Sequence, residues 1–123
     1  MEINSITEKI IGCAIKVHRA LGPGLLEKTY EVCLAHEIAK GGLVVRRQVE
    51  LPVVYDGLRL DAGYRIDLLV EERVIVELKT VEQFHPIHEA QLISYLKLSN
   101  LKVGLLINFN VTMLKSGIKR LMN

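Results

Sequence analysis

Two apolar runs of strand length stand on either side of a charged segment. They are Tyr64-Arg65-Ile66-Asp67-Leu68-Leu69-Val70 and Val74-Ile75-Val76-Glu77-Leu78-Lys79, with Glu71-Glu72-Arg73 between them. The pattern predicts a β-hairpin. A strand as apolar as Val74 to Leu78 has to be buried. It nevertheless ends in an acid and a base spaced by one residue. Successive side chains alternate faces, so Glu77 and Lys79 project on the same side. Desolvating such groups is unfavourable unless each finds a partner. Asp67 on the neighbouring strand supplies a second carboxylate, and the three groups can meet at one end of a sheet. That set suits a hard, oxygen-liganded divalent cation such as Mg²⁺, with the lysine beside an attacking water. The structural alternative is a salt-bridged cluster with no metal.

Parity decides whether Asp67 and Glu77 can meet. In an antiparallel pair, directly opposed residues share a face and their numbers keep a constant sum. A two-residue turn at Glu71-Glu72 would set Asp67 opposite Val76, on the wrong face from Glu77. A three-residue loop of Glu71, Glu72 and Arg73 pairs Val70 with Val74 and brings Asp67 opposite Glu77. It would also oppose Arg65 with Lys79, and collect Ile66, Leu68, Val70, Val74, Val76 and Leu78 on one apolar face. The expectation is therefore an odd-length loop or a bulge, with one loop residue in the left-handed region despite the absence of glycine.

Elsewhere the punctuation is clear. Ser5-Ile6-Thr7-Glu8 has the form of a capping box. Ile6, Ile10, Cys13, Ala14, Val17 and Leu21 then recur at helical spacing, predicting a helix from about residue 5 to 21. Gly22-Pro23-Gly24 breaks it. A second helix is expected from Leu25 to about Lys40, stopped by Gly41-Gly42. Leu43 to Tyr55 alternates like a strand, with Pro52 marking an edge or bulge and Asp56-Gly57 a hairpin turn. Pro86 opens a third helix to about Ser99, and Leu101 to Phe109 reads as a buried strand. The tail from Val111 fits either a short strand or a short helix. The order α-α-β-β-β-α-β predicts a mixed sheet with helices on its faces, in one domain.

With 123 residues, half of them hydrophobic, the chain can bury a real core. No apolar run approaches the ~20 residues of a membrane helix, and the N-terminus lacks a signal-peptide pattern, so the expected compartment is the cytoplasm without membrane association. Net charge is only +2. A nucleic-acid partner is permitted, but Arg46-Arg47 and the tail residues Lys115, Lys119 and Arg120 are the nearest things to a phosphate track. Cys13 and Cys33 lack zinc-site spacing and are expected to be buried free thiols. His85 and His88, without cysteines nearby, make no zinc site.

Two further groups bear on the carboxylates. His88, Gln91 and Tyr95 follow one another at helical spacing on one face of the third helix. That stripe could bind a substrate phosphate or orient Lys79, or simply face water. Glu27 sits in the first turn of the second helix, where the helix dipole favours an acid, and Tyr30 shares its face.

At these residues the chain resembles a known family. Gly24-Leu25-Leu26-Glu27-Lys28-Thr29-Tyr30 matches the signature of the GxxExxY proteins. The match continues through Tyr64 to Val70, Val76-Glu77-Leu78-Lys79, His88-Glu89-Ala90-Gln91-Leu92, Ser94-Tyr95-Leu96-Lys97 and Val103 to Phe109, in order. This group looks like a compact branch of the PD-(D/E)XK nuclease superfamily. The resemblance implies an α/β (α+β) fold: one domain over residues 1–123, with a restriction-endonuclease-like αβββαβ core and an extra N-terminal helix. It implies a Mg²⁺- or Mn²⁺-dependent nuclease acting on DNA or RNA. Asp67 and Glu77 would hold the metal, with the Leu78 carbonyl as a further ligand and Glu27 as an additional acid. Lys79 would be the catalytic lysine, and Gln91, Tyr95 and His88 would contact substrate. Ile66 stands where the namesake motif has proline, as in many branches. A non-catalytic nucleic-acid-binding or regulatory domain retaining the fold is the alternative, and an edge strand leaves room for a homodimer.

Overall fold

The computed structural model describes Met1–Asn123. Its elements run α1 (Ile3–Leu21), α2 (Glu27–Lys40), β1 (Val45–Glu50), β2 (Val53–Tyr55), β3 (Leu58–Leu60), β4 (Arg65–Val70), β5 (Val74–Lys79), α3 (Pro86–Ser99), β6 (Val103–Asn108), a 3₁₀ turn (Leu114–Gly117) and β7 (Ile118–Met122). Five strands make one sheet in the order β1-β4-β5-β6-β7, so β5 is central. Only β5 and β6 are parallel. A parallel pair needs a crossover, and α3 supplies it. Val74 through Leu78 are all buried.

Each face of the sheet has its own apolar layer. Ile6, Ile10, Ala14 and Val17 of α1 and Tyr30, Leu34 and Ile38 of α2 pack on Leu68, Val70, Val74, Val76 and Leu78. Leu92, Tyr95 and Leu96 of α3 pack on Leu69, Ile75 and Leu106. Each fully buried aliphatic side chain contributes about 1.5–3 kcal/mol relative to exposure. The domain is thus α+β with a mixed sheet between helices. No helix is long and apolar enough to cross a membrane.

The β4–β5 loop is the three-residue one that parity requires. Val70 pairs with Val74, Leu69 with Ile75 and Leu68 with Val76. Two loop residues rather than one are left-handed, Glu71 and Glu72, each with φ of 54°. Their strain, of order 1–2 kcal/mol per residue, is offset by anchorage to β1. The Glu71 carboxylate accepts the Val44 amide at 2.6 Å, and Glu72 takes both Nε and Nη2 of Arg46 at 2.7 Å.

Several expectations are corrected. Ser5 lies inside α1 and does not cap it, because Glu2 already accepts the Ser5 and Ile6 amides and Ile3 packs against the core. Leu26 is the N-cap of α2, so the helix starts at Glu27 and not at Leu25. Leu43 to Tyr55 does not fold back directly into the Asp67 strand. The chain leaves the sheet after Glu50, makes the separate β2–β3 hairpin around Asp56-Gly57, and returns so that β1 pairs with β4. Proline at position 52 cannot donate to a ladder, which favours departure there. Ile66 joins Leu69, Ile75 and Leu92 in the α3 layer, not Leu68 in the other. Cys13 and Cys33 are free but only half-buried. The tail is both a 3₁₀ turn and a strand.

Candidate active site

The β4–β5 ladder ends at Leu68 and Val76, one step before Asp67 and Glu77 face each other. Beyond that point the carboxylates replace the backbone acceptors. The Asp67 amide donates to Glu77 Oε2 at 2.8 Å, and the Leu78 amide donates to Asp67 Oδ2 at 2.9 Å. The two acids are thus clasped reciprocally, each held by the other strand. The expected Arg65–Lys79 pair does not form, because the ladder has already stopped. Asp67 and Ile66 lie where β4 changes its facing, which explains the displaced Ile66.

A matching irregularity sits on β1. The β1–β4 register is continuous on both sides of Gln48 and Asp67 but skips that pair, and Gln48 has φ of 52°. Gln48 Nε2 donates to Glu31 Oε1 at 2.6 Å and, more weakly, to Asp67 Oδ1 at 3.4 Å. Glu31 is 5% exposed and is also bound by Arg47, whose Nη2 lies 2.9 Å from Oε2. Glu27, Lys28, Glu31, Arg47, Gln48 and Asp67 line one cavity of about 470 Å³ with no apolar residue in its wall. Glu27 from α2 and Asp67 from β4 therefore open onto the same space.

On the other side, Lys79 Nζ donates to Gln91 Oε1 at 3.5 Å, and Gln91 Nε2 donates to Tyr95 Oη at 3.4 Å. Both bonds are at the long limit. The chain Lys79–Gln91–Tyr95 links the end of β5 to α3. His88 is engaged elsewhere: its Nδ1 accepts the His85 amide at 3.1 Å at the helix start. Arg46 and Arg47, considered above as a phosphate track, are held by Glu72 and Glu31.

Charge crowding marks this region. Burial pushes Glu77 up to about 8, helped by the negative charge of Asp67, while the Asp67 amide and Lys79 oppose the shift. Asp67 is raised by burial and by Glu31, against the bond from Leu78. Glu27 is raised by burial and then by Asp67. Burial and the charges of Glu77 and Asp67 raise Tyr95 too. Carboxylates that destabilise one another in this way are relieved by a cation.

The donor set fits a hard divalent ion. Asp67 and Glu77 each commit one oxygen to an amide; Asp67 Oδ1 has only the long Gln48 contact, and Glu77 Oε1 accepts no hydrogen bond. No three acidic, histidine or cysteine side chains close into a ready cage. Two carboxylates, a backbone carbonyl and waters match the way Mg²⁺ is ordinarily held, by few protein ligands.

Glu31 and Gln48 were not singled out from sequence, and Arg47 only as a phosphate contact, not as the partner of Glu31. Glu31 was detectable, four residues after Glu27 on the same helical face. Gln48 was not, because nothing local announces a left-handed glutamine in mid-strand.

No curated protein and no solved structure gives a match. The profile of the PD-(D/E)XK nuclease superfamily matches residues 4–121, which span both helical layers and all but the last residue of the central sheet. The chain belongs to the PD-(D/E)XK nuclease superfamily.

Proposed function

We propose that the protein is a Mg²⁺- or Mn²⁺-dependent nuclease of the GxxExxY type, hydrolysing phosphodiester bonds of DNA or RNA. The observation that carries this reading is the reciprocal clasp of Asp67 and Glu77, which leaves Glu77 Oε1 without a hydrogen bond and Asp67 Oδ1 with only the long one from Gln48. Those oxygens, with the Leu78 carbonyl, would hold the ion, and Glu27 would reach it through water or hold a second one. When bound, the ion supplies positive charge to the scissile phosphate. Lys79 positions the attacking water or, as the neutral amine, takes up its proton. Gln91 holds the ammonium in place, and Tyr95 holds Gln91. His88 is a substrate contact at the outer end of the same helical stripe.

Labelled single- and double-stranded DNA and RNA, incubated with Mg²⁺ or Mn²⁺, test the reading directly. Lys79→Ala is expected to keep or improve Mg²⁺ affinity, because it removes a positive charge that is not a ligand. It should lower turnover by about 10²–10⁴-fold, the range for a positioned proton-transfer group. No cleavage of any substrate by the wild-type protein overturns the enzyme reading, as does full activity in Lys79→Ala for its assigned base.

One observation favours the second reading, a nucleic-acid-binding or regulatory domain without turnover. Two basic side chains near the site, Arg47 and Arg65, already face carboxylates within the chain. Binding without cleavage would support it. In either reading the protein works in the cytoplasm. A homodimer would use a surface other than β1, whose exposed Arg46, Arg47 and Glu50 oppose edge pairing.

A further inference from the structure

The β2–β3 hairpin exposes what a folded surface ordinarily hides. Val53 pairs with Leu60 and Tyr55 with Leu58, so these four share one face. Tyr55 is 73% exposed and Leu58 is 58% exposed. A lone two-stranded ribbon is marginally stable, so an exposed apolar face on one calls for an explanation. At the base of the hairpin, Val53 and Tyr64 oppose α3, where Gln91, Ser94, Tyr95 and Leu98 recur on one helical face. These six residues line a cleft of about 260 Å³. Drug-sized ligands occupy about 300–1,000 Å³, so the cleft admits a smaller group.

Its walls describe that group. The rings of Tyr64 and Tyr95 lie 6.3 Å apart at 66°. Tyr95 is almost fully buried, whereas Tyr64 remains 46% exposed and has ring surface to offer. The Gln91 amide and the Ser94 hydroxyl supply polar groups at the edge. Gln91 belongs to both places: it lines the cleft and accepts the Lys79 ammonium. The cleft therefore adjoins Lys79 through Gln91, and that ammonium is the positive charge that a phosphate attached to the bound group would need.

We propose that this cleft holds one unpaired nucleobase of a single-stranded nucleic acid, stacked on Tyr64, with the adjoining phosphate at Asp67, Glu77 and Lys79. The proposal rests on the nuclease reading and narrows its substrate to strands with unpaired bases. In a duplex the bases are stacked and their edges are paired, so none can enter. Stacking on an aromatic ring is tolerant of sequence because every base has a π-face.

Fluorescence anisotropy tests it, in a Lys79→Ala background with Mg²⁺ so that binding is read without cleavage. The probes are a short labelled DNA strand, the corresponding RNA strand and the matching DNA duplex. Tyr64→Ala is expected to weaken binding of single strands about tenfold, Tyr64→Phe to leave it nearly unchanged, and neither to alter duplex binding. Ser94→Phe, at an exposed helix position, fills the cleft without touching the core and should reproduce the loss. Unchanged single-strand affinity in both Tyr64→Ala and Ser94→Phe overturns the proposal, and so does an equal loss on duplex. Loss of self-association in Tyr64→Ala with nucleic-acid binding intact assigns the hairpin to a second copy and also overturns it. In those cases metal-dependent cleavage by the wild-type protein still supports the nuclease reading. If neither strand nor duplex binds the background protein, and the wild type cleaves nothing, both fall together.

Discussion

Glu77 is a carboxylate at the end of the central strand, 4% exposed, with Asp67 beside it and one oxygen bound to an amide. Burial and the neighbouring charge lift it to about 8 from an ordinary 4.5. A proton therefore occupies the site below that range, and a divalent ion has to displace it. Mg²⁺ affinity is expected to rise as pH approaches about 8 and to level above it, with protons released on binding. Calorimetry in two buffers of different ionisation enthalpy measures that release; no release near neutral pH would refute the assignment. Asp67→Asn or Glu77→Gln should abolish binding with the fold intact, since each removes a ligand charge at nearly constant volume. The same shift fixes a stability trend in the metal-free protein. A raised carboxylate holds its proton more tightly when folded, so its contribution is full below 4.5 and is lost as pH climbs through about 8. Thermal melts of metal-free protein should fall across that window, and Glu77→Gln should flatten the fall.

The GxxExxY segment shows how an element can prepare a residue. Tyr30 is wholly buried, stacked on Phe109 at 4.5 Å, and its hydroxyl donates to Gly22 O at 2.6 Å and accepts the Leu25 amide at 3.0 Å. It ties down the Gly22-Pro23-Gly24 turn, whose glycines have φ of 69° and 100° and which ends three residues before Glu27 starts α2. Tyr30→Phe keeps the stack and loses both bonds, so it should cost about 1–2 kcal/mol, read as a drop of a few degrees in Tm. Metal affinity should fall with it if Glu27 depends on this turn; unchanged affinity would free Glu27 from that dependence. Gly117 makes a harder demand. An added Cβ would overlap Asn108 O, a backbone atom at the end of β6, so Gly117→Ala should destabilise by about 3 kcal/mol or more, the upper end of the usual range for overpacking. Denaturant titration measures it. What the sequence made legible follows the same division. Helices appeared in the 3.6-residue spacing and the glycine stops, and the odd β4–β5 loop followed from parity alone. The Gln48 backbone, the displaced Ile66 and the β2–β3 excursion were not legible, and the tail was legible only as a short strand or helix, because each is decided by what the chain meets across the sheet. For the same reason the clasp between Asp67 and Glu77 could be placed on one hairpin in advance, while its amide partners could not.

Over the whole molecule, six of the sixteen lysines and arginines are tied to acids of the same chain, and around the candidate site Lys28 and Lys79 are the cations outside such pairs. The net charge is +2, and six ion pairs engage Lys16, Arg46, Arg47, Arg59, Arg65 and Lys119 with acids of the same chain. Exposed pairs of this kind add little stability, but they reduce the cations that can replace counterions on a phosphate backbone. The candidate site itself is acidic, with Glu27, Glu31, Asp67 and Glu77 close together, and repels phosphate until a divalent ion offsets that charge. Nucleic-acid affinity should therefore be weak without divalent ions and should rise when Mg²⁺ is added to the Lys79→Ala protein. Each phosphate neutralised by a side chain adds about 0.9 to the slope of log K against log[salt] on duplex DNA, and about 0.7 on a single strand. With so few uncommitted cations around the site, that slope should stay shallower than about 4 in magnitude, measured at fixed Mg²⁺. A steep slope, or tight binding in the presence of a chelator, would mean that a basic surface away from the carboxylates carries the contact.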